Sequence, residues 1–210
     1  MKKLLETPLG IHGAGMTGDD LASRLGFSGV DINQGGPITD EEADLIAKKI
    51  SEELPERVYA YSRGSAALNK ALADEDAPES VPPVTYIAPA ALRSQWGNPP
   101  VPFLPAGSTT VIGDRDASVP VKQACSIAAQ AGTDLYVHPG KSHVGILYTG
   151  GSTDGAKKLD PLECLADPDM PDWGDATVEK DGPEIKQQQD RVKALTSEGL
   201  LRAIVRELLY

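Results

Sequence analysis

The sequence predicts an α/β fold: a three-layer αβα sandwich around a mostly parallel sheet of about six strands. From about residue 7 to about residue 150, short apolar runs alternate with helical stretches, as expected where crossover helices join parallel strands. The 21 glycines and 17 prolines stand in turns between those runs and follow no repeat. With 210 residues, 40% of them hydrophobic, the chain suits one globular domain, with or without a tail.

Each predicted strand is a short apolar run bounded by turn residues, at 8–11, 27–32, 57–61, 84–88, 109–113 and 134–137. The predicted helices span 19–25, 40–54, 65–73 and 121–131. Thr39 is a favourable N-cap for the second helix, since acidic residues follow it in the first turn, and Pro55 ends that helix. The cap of the first helix is expected near Gly18 or Asp19.

The character of the chain changes after residue 150. Residues 1–150 are predicted to form the core, and residues 151–183, rich in Asp, Gly and Pro, a surface loop or small lobe. Residues 184–210 are predicted to be helical and to pack on or near the core. Their apolar stripe also loosely resembles a short C-terminal helix of virion proteins in some tailed bacteriophages. That resemblance implies a tail that docks on a protein partner.

Charge and hydropathy exclude several classes of function. The net charge of −11 argues against a nucleic-acid-binding surface and against adhesion to anionic lipid. No apolar run reaches the roughly 18 residues of a membrane span. Glu6 and Pro8 cut the apolar start of the chain too short for a signal peptide, so a cytoplasmic location is predicted.

The cysteines and the acidic segment indicate no metal centre. Cys125 and Cys164 have neither metal-ligand nor redox spacing, so two reduced thiols are expected, with a single disulfide as the alternative. Four aspartates could offer oxygen ligands to calcium, but their spacing fits no EF-hand loop and favours a solvated loop. They are Asp167, Asp169, Asp172 and Asp175.

Ser62 stands where a predicted strand turns into a predicted helix. Its neighbours at minus two and plus two, Ala60 and Gly64, are small, as a serine on a tight and strained turn requires. Such a turn lifts the hydroxyl above the sheet. It also places the free N–H groups of the next helix beside the hydroxyl, where they can hold an oxyanion. Ser62 is therefore a candidate nucleophile.

A serine nucleophile needs a general base, which in turn needs an acid to orient it. Of the three histidines, His143 lies in a loop just past the last predicted strand, where parallel sheets place their sites. His12 lies in the first Gly-rich turn, and His138 is expected to be structural. Asp114 and Asp116 both follow another strand, and either could face His143 or cap the next helix.

Four segments in order resemble a compact, lidless α/β-hydrolase of the serine esterase or lipase kind, over about residues 7–147. They are His12-Gly13-Ala14-Gly15, Ala60-Tyr61-Ser62-Arg63-Gly64, Gly113-Asp114-Arg115-Asp116 with Val119-Pro120, and Gly140-Lys141-Ser142-His143. The resemblance implies Ser62 as nucleophile, Asp116 rather than Asp114 as acid, and His143 as base. It implies oxyanion donors in the N–H groups of Arg63 and Ala14, with Gly15 as a rival to Ala14.

This sequence departs from the family pattern at three places. Ala60 replaces the commoner glycine, the first two strands of the full fold are missing, and only residues 89–108 could hold a lid. Within that stretch Trp96 and Phe103 are expected either to line an acyl pocket or to pack the loop. Tyr61 is a third expected substrate contact. The side chain of Arg63 or Arg93 could favour an acidic substrate.

The expected activity is hydrolysis of a small-molecule carboxylic ester with a short or medium acyl chain, without metal or organic cofactor. An acyltransferase, a thioesterase or a peptidase could use the same triad. A third possibility is a binding or structural protein, such as a virion-associated one, that keeps the fold without the activity.

Overall fold

The computed structural model describes residues 8–170, and in it seven strands form one sheet in the spatial order β2-β1-β3-β4-β5-β6-β7. The strands are β1 (Leu9–Ile11), β2 (Ser28–Val30), β3 (Val58–Tyr61), β4 (Val84–Ile87), β5 (Thr109–Gly113), β6 (Asp134–His138) and β7 (Lys157–Leu159). The first six are parallel, and β7 runs antiparallel to β6. The predicted α/β class is confirmed, with one strand more than expected.

Helices cover both faces of the sheet. They are α1 (Gly18–Leu25), α2 (Asp40–Glu53), α3 (Arg63–Ala73), α4 (Val121–Ala131), α5 (His143–Leu147) and α6 (Pro161–Ala166). The crossover through α1 leads from β1 to the edge strand β2. The crossovers through α2, α3 and α4 run across the sheet in the opposite direction, toward β6. Because such crossovers are right-handed, opposite directions put helices on opposite faces. Consistent with this, α2 packs on α3, whereas α1 packs on β1 and β2.

Capping residues fix where the first two helices begin. Thr39 caps α2 as predicted, in a capping box with Glu42, and the apolar face of α2 is buried. The helix α1 also begins with a capping box, but its cap is Thr17, paired with Asp20, and not Gly18 or Asp19. The threonine hydroxyl accepts the N–H of the third helical residue, a bond that glycine cannot supply.

The first part of the acidic segment belongs to the sheet. Where a loop or small lobe was expected, β7 pairs with β6 and α6 packs on α4. Cys125 of α4 and Cys164 of α6 form a disulfide, which corrects the expectation of two thiols. The strand gives no sequence signal because it has three residues, two of them exposed, and so shows no alternation. Residues 171–183 and the helices predicted within 184–210 lie outside the described residues.

Residues 8–170 contain no helix with the length and apolar character needed to cross a bilayer. Over the same range, no three His, Cys, Asp or Glu side chains are grouped to hold a metal ion. Asp167 instead closes a turn, where its carboxylate accepts the N–H of Asp169 at 2.9 Å. Asp172 and Asp175 lie outside the described residues.

Candidate active site

Ser62 occupies a strained turn between β3 and α3. Its backbone angles are φ 51° and ψ −119°, a left-handed conformation that costs a non-glycine residue about 1–3 kcal/mol. The surroundings enforce it: the Ser62 N–H donates to Ile87 O at 3.0 Å, and the Ser62 carbonyl accepts the N–H groups of Ser65 and Ala90. A Cβ on Gly64 would stand 2.5 Å from the carbonyl oxygen of Ile11, which explains the need for a small residue there.

Ser62, His143 and Asp116 form a continuous hydrogen-bonded chain. The distance from Ser62 Oγ to His143 Nε2 is 3.0 Å, and the distance from His143 Nδ1 to Asp116 Oδ2 is 2.8 Å. The other carboxylate oxygen of Asp116 accepts the N–H groups of Ser118 at 2.8 Å and Val119 at 2.7 Å. With Nδ1 donating to Asp116, Nε2 has a lone pair available for the Ser62 proton.

The topology brings these three residues together. They follow β3, β5 and β6, which run parallel, so all three lie at the carboxyl edge of the sheet. The Asp116 carboxylate is fully buried, whereas the His143 side chain is 19% exposed. The His143 imidazole can therefore be reached from solvent, while the Asp116 carboxylate is shielded.

Tyr61 packs against His143. Its hydroxyl donates to the carbonyl oxygen of His143 at 3.1 Å, and the two rings lie 5.2 Å apart. Burial, and secondarily the Asp116 carboxylate, raise the pKa of Tyr61, so it remains a donor. Tyr61 is itself buried, and in the structure it contacts His143. The predicted substrate contact of Tyr61 stays a prediction.

Asp114, the alternative acid, holds the loop that carries the base. Its carboxylate accepts the N–H of Gly140 at 2.6 Å, and its own N–H donates to His138 O. Next to it, Gly113 lies so close to Lys141 that a Cβ would stand 2.0 Å from the Lys141 carbonyl oxygen. The acid loop and the base loop are therefore in direct backbone contact.

The expected oxyanion donors flank the nucleophile. Arg63 is the first residue of α3, so its N–H has no acceptor within the helix. Gly13 lies directly against the side chains of Tyr61 and Ser62, which brings the turn of Ala14 to the site. The N–H of Gly15 donates to Gln34 O at 2.9 Å, which argues against Gly15 as the rival donor. The backbone bonds recorded over residues 8–170 include none from the Ala14 N–H.

The Arg63 side chain is buried, contrary to the expectation that it could select an acidic substrate. All five of its N–H groups have acceptors within the protein. Nη1 and Nη2 reach the two carboxylate oxygens of Glu42 at 2.8 and 3.0 Å. The others donate to carbonyl oxygens of one loop, those of Gly36, Asn33 and Pro37. Sequence alone cannot show this, since these partners lie 21–30 positions away in the chain.

Trp96 and Phe103, the two expected pocket aromatics, lie at opposite edges of the sheet. Trp96 is buried beside the nucleophile turn, where the Arg63 guanidinium stands 5.5 Å from the centre of its ring. Phe103 packs against Gly132 and is 47% exposed. Because Gly132 precedes β6, Phe103 lies at the amino edge, away from Ser62, and the expectation that it lines an acyl pocket is wrong. The loop after β4 crosses the sheet between the two residues.

The other two histidines have structural contacts. His12 accepts the N–H of Ile32 at 3.0 Å through Nε2, and its Nδ1 lies 2.8 Å from Gly13 O. His138 is buried, with its Nε2 2.7 Å from Ser152 O. Within residues 8–170, the ring of neither histidine is hydrogen-bonded to Ser62.

Comparison with known proteins shows the fold alone. No protein-family model matches the chain, and no curated protein matches it in sequence. Among solved structures, the chain is similar to one described as a "putative yden-like hydrolase" from Pectobacterium atrosepticum. The match has a TM-score of 0.52 and 12% identity, and it covers 71% of this chain and 83% of that one. The chain therefore shares an α/β fold with that structure.

Proposed function

We propose that this protein is a serine hydrolase that cleaves carboxylic esters of short or medium acyl chains. The observation that supports the proposal is the Ser62–His143–Asp116 chain, with bonds of 3.0 and 2.8 Å, on a strained turn at the carboxyl edge of the sheet. A serine kept at φ 51° against its conformational preference has a structural cost that positioning a nucleophile would explain.

Acylation begins when Ser62 Oγ attacks the ester carbonyl carbon while His143 Nε2 takes the hydroxyl proton. Asp116 stabilises the resulting imidazolium, and the N–H groups of Ala14 and Arg63 hold the oxyanion. The tetrahedral intermediate then collapses: the bond from carbon to the leaving oxygen breaks, and His143 returns the proton to the alcohol.

Deacylation repeats these steps with water as the nucleophile. His143 removes a proton from water, the hydroxide adds to the acyl carbon, and collapse releases the carboxylic acid and regenerates Ser62. With an alcohol in place of water, the same residues would make the protein an acyltransferase. With a thioester or a peptide in place of the ester, they would make it a thioesterase or a peptidase.

The first test is labelling with a fluorophosphonate, followed by mass spectrometry to locate the adduct. We expect one adduct, on Ser62, that is lost in S62A and H143A and kept in H138A, the matched histidine control. An adduct on the wild type would justify a screen of esters by acyl length. Folded wild-type protein that gains no adduct would contradict the hydrolase proposal and favour a binding or structural role.

A further inference from the structure

The Arg93 side chain lies against the loop that carries Asp116. The loop after β4 is tied to the nucleophile, because the N–H of Ala90 donates to the Ser62 carbonyl at 3.2 Å. Arg93 lies one turn further, with its N–H donating to Ala90 O at 3.2 Å. Its guanidinium reaches the loop of the acid, where Nη2 donates to the carbonyl oxygen of Ser118. Arg93 therefore connects the turn of Ser62, through Ala90, with the loop of Asp116.

Arg93 has few hydrogen-bonding partners among residues 8–170. Within that range Nη2 donates to Ser118 O, and Nε is buried without a partner. An unpaired buried donor is unfavourable, and more so on a charged group. The contrast with Arg63 is direct, because all five N–H groups of Arg63 are satisfied within the protein.

The carboxylate of Asp116 is not the hydrogen-bonding partner of Arg93, because both of its oxygens have other partners. Asp116 bonds to His143 through one oxygen and to the N–H groups of Ser118 and Val119 through the other. Burial lowers the pKa of Arg93, and the charge of Asp116 raises it, as expected for a guanidinium held within electrostatic range of the acid. Asp116 therefore faces Arg93 without being its hydrogen-bonding partner.

A planar guanidinium can pair with a carboxylate through two parallel hydrogen bonds, and a carboxylate is an anion that an ester substrate can carry. Arg93 is also a half-buried cation in a chain whose net charge is −11. A substrate group that brings its own negative charge would balance this cation.

We propose that Arg93 is a specificity residue that binds a carboxylate on the substrate, so that the site prefers esters that carry a carboxylate near the scissile bond. This inference rests on the proposed ester hydrolysis and names the substrate class of the same site.

The test compares two pairs of esters that differ in a carboxylate. In the first pair, 4-nitrophenyl hexanoate and mono-4-nitrophenyl adipate, the carboxylate is on the acyl chain. In the second, phenyl acetate and 3-acetoxybenzoate, it is on the leaving group. We expect wild-type protein to have the higher kcat/KM on the charged member of at least one pair. R93M should lower that preference at least about tenfold, mainly through KM, and R93K should keep part of it.

R115M is the matched control, because it removes an exposed arginine from the same edge of the sheet. It should leave the preference unchanged, and thermal melting of each variant checks that it is folded. An equal loss on charged and neutral esters in R93M, an unchanged preference in R93M, or an equal effect of R115M would overturn the assignment. Wild-type protein that hydrolyses neither member of either pair would instead contradict the proposed function itself.

Discussion

The guanidinium of Arg63 and the carboxylate of Glu42 form a bidentate ion pair in which neither side chain is more than 5% exposed. Glu42 also accepts the N–H groups of Asn33 and Thr39, each at 2.9 Å. Because Arg63 directly follows Ser62, this pair links the nucleophile turn to the start of α2 and to the loop before it.

Breaking this pair on one side should destabilise the protein strongly. In R63M the Glu42 carboxylate stays buried without its cation, and in E42Q the guanidinium loses its counter-charge, so each should lower the free energy of unfolding by about 3–5 kcal/mol. The double variant R63M/E42Q should lose much less than the sum. Urea unfolding of the four proteins measures the coupling, and additive losses would show that the pair is not a unit.

The same pair predicts a loss of stability in acid. Burial alone would raise the pKa of Glu42, but the hydrogen bonds from Arg63 and Thr39 and the charge of Arg63 outweigh it and leave the pKa below its usual value. Because the pKa of Glu42 is lower in the folded state than in the unfolded state, its ionised carboxylate stabilises the fold. This stabilisation is fully present above the unfolded pKa, near 4.5, and is lost as pH falls through the folded pKa. The stability gap between wild type and E42Q, measured by urea unfolding from pH 6 to pH 3, should therefore shrink. A gap independent of pH would contradict this.

Asp116 and Asp114 should differ sharply when each is changed to asparagine. D116N removes the acceptor that sets the His143 tautomer and should lower kcat on an ester by about 10³- to 10⁴-fold. D114N keeps an amide oxygen for the Gly140 N–H, so its kcat should change by less than about tenfold. Steady-state kinetics of both variants on one ester checks the assignment, which the opposite ranking would reverse.

The strain at Ser62 predicts that glycine there is more stable than alanine. At φ 51° and ψ −119° a side chain is unfavourable, so S62G should unfold at higher free energy than S62A, by about 1 kcal/mol or more. Both variants should lack activity, which separates the strain from catalysis. If S62A were the more stable of the two, the turn would carry no strain.

The disulfide between Cys125 and Cys164 closes a loop of 39 positions that includes His143. In the chain-entropy account, losing such a bond costs up to about 4 kcal/mol, so C125A/C164A should melt at a lower temperature. Wild-type protein purified without reductant should titrate no free thiol after unfolding, and two free thiols would contradict the bond. The predicted cytoplasmic location stays a prediction, and a stable disulfide is more typical of an oxidising compartment.

The elements with local signals could be predicted from sequence. The helix α4 spans the residues expected of it, since Pro120 precedes it and Gly132 ends it in a left-handed conformation. The family resemblance likewise selected Ser62, Asp116 and His143, and in the structure His143 is hydrogen-bonded to each of the other two.

Features that depend on the path of the chain in space could not be predicted. Phe103 lies only seven positions after Trp96, yet the loop carries it to the other edge of the sheet. The partners of Arg63 come from a loop and a helix that precede it by 21–30 positions. A charged residue beside a candidate nucleophile gives the same sequence signal whether it faces a substrate or the core.

Because Gly113 has no side chain, the end of β5 can lie close enough to the loop of His143 for Asp116 to reach that histidine. A methyl group there would meet the Lys141 carbonyl oxygen at 2.0 Å, so the strand end and the base loop would have to separate. The separation would open the 2.8 Å contact between Asp116 and His143, although neither residue had changed. In a library of random variants, inactive clones should therefore include substitutions at a position that has no functional group at all.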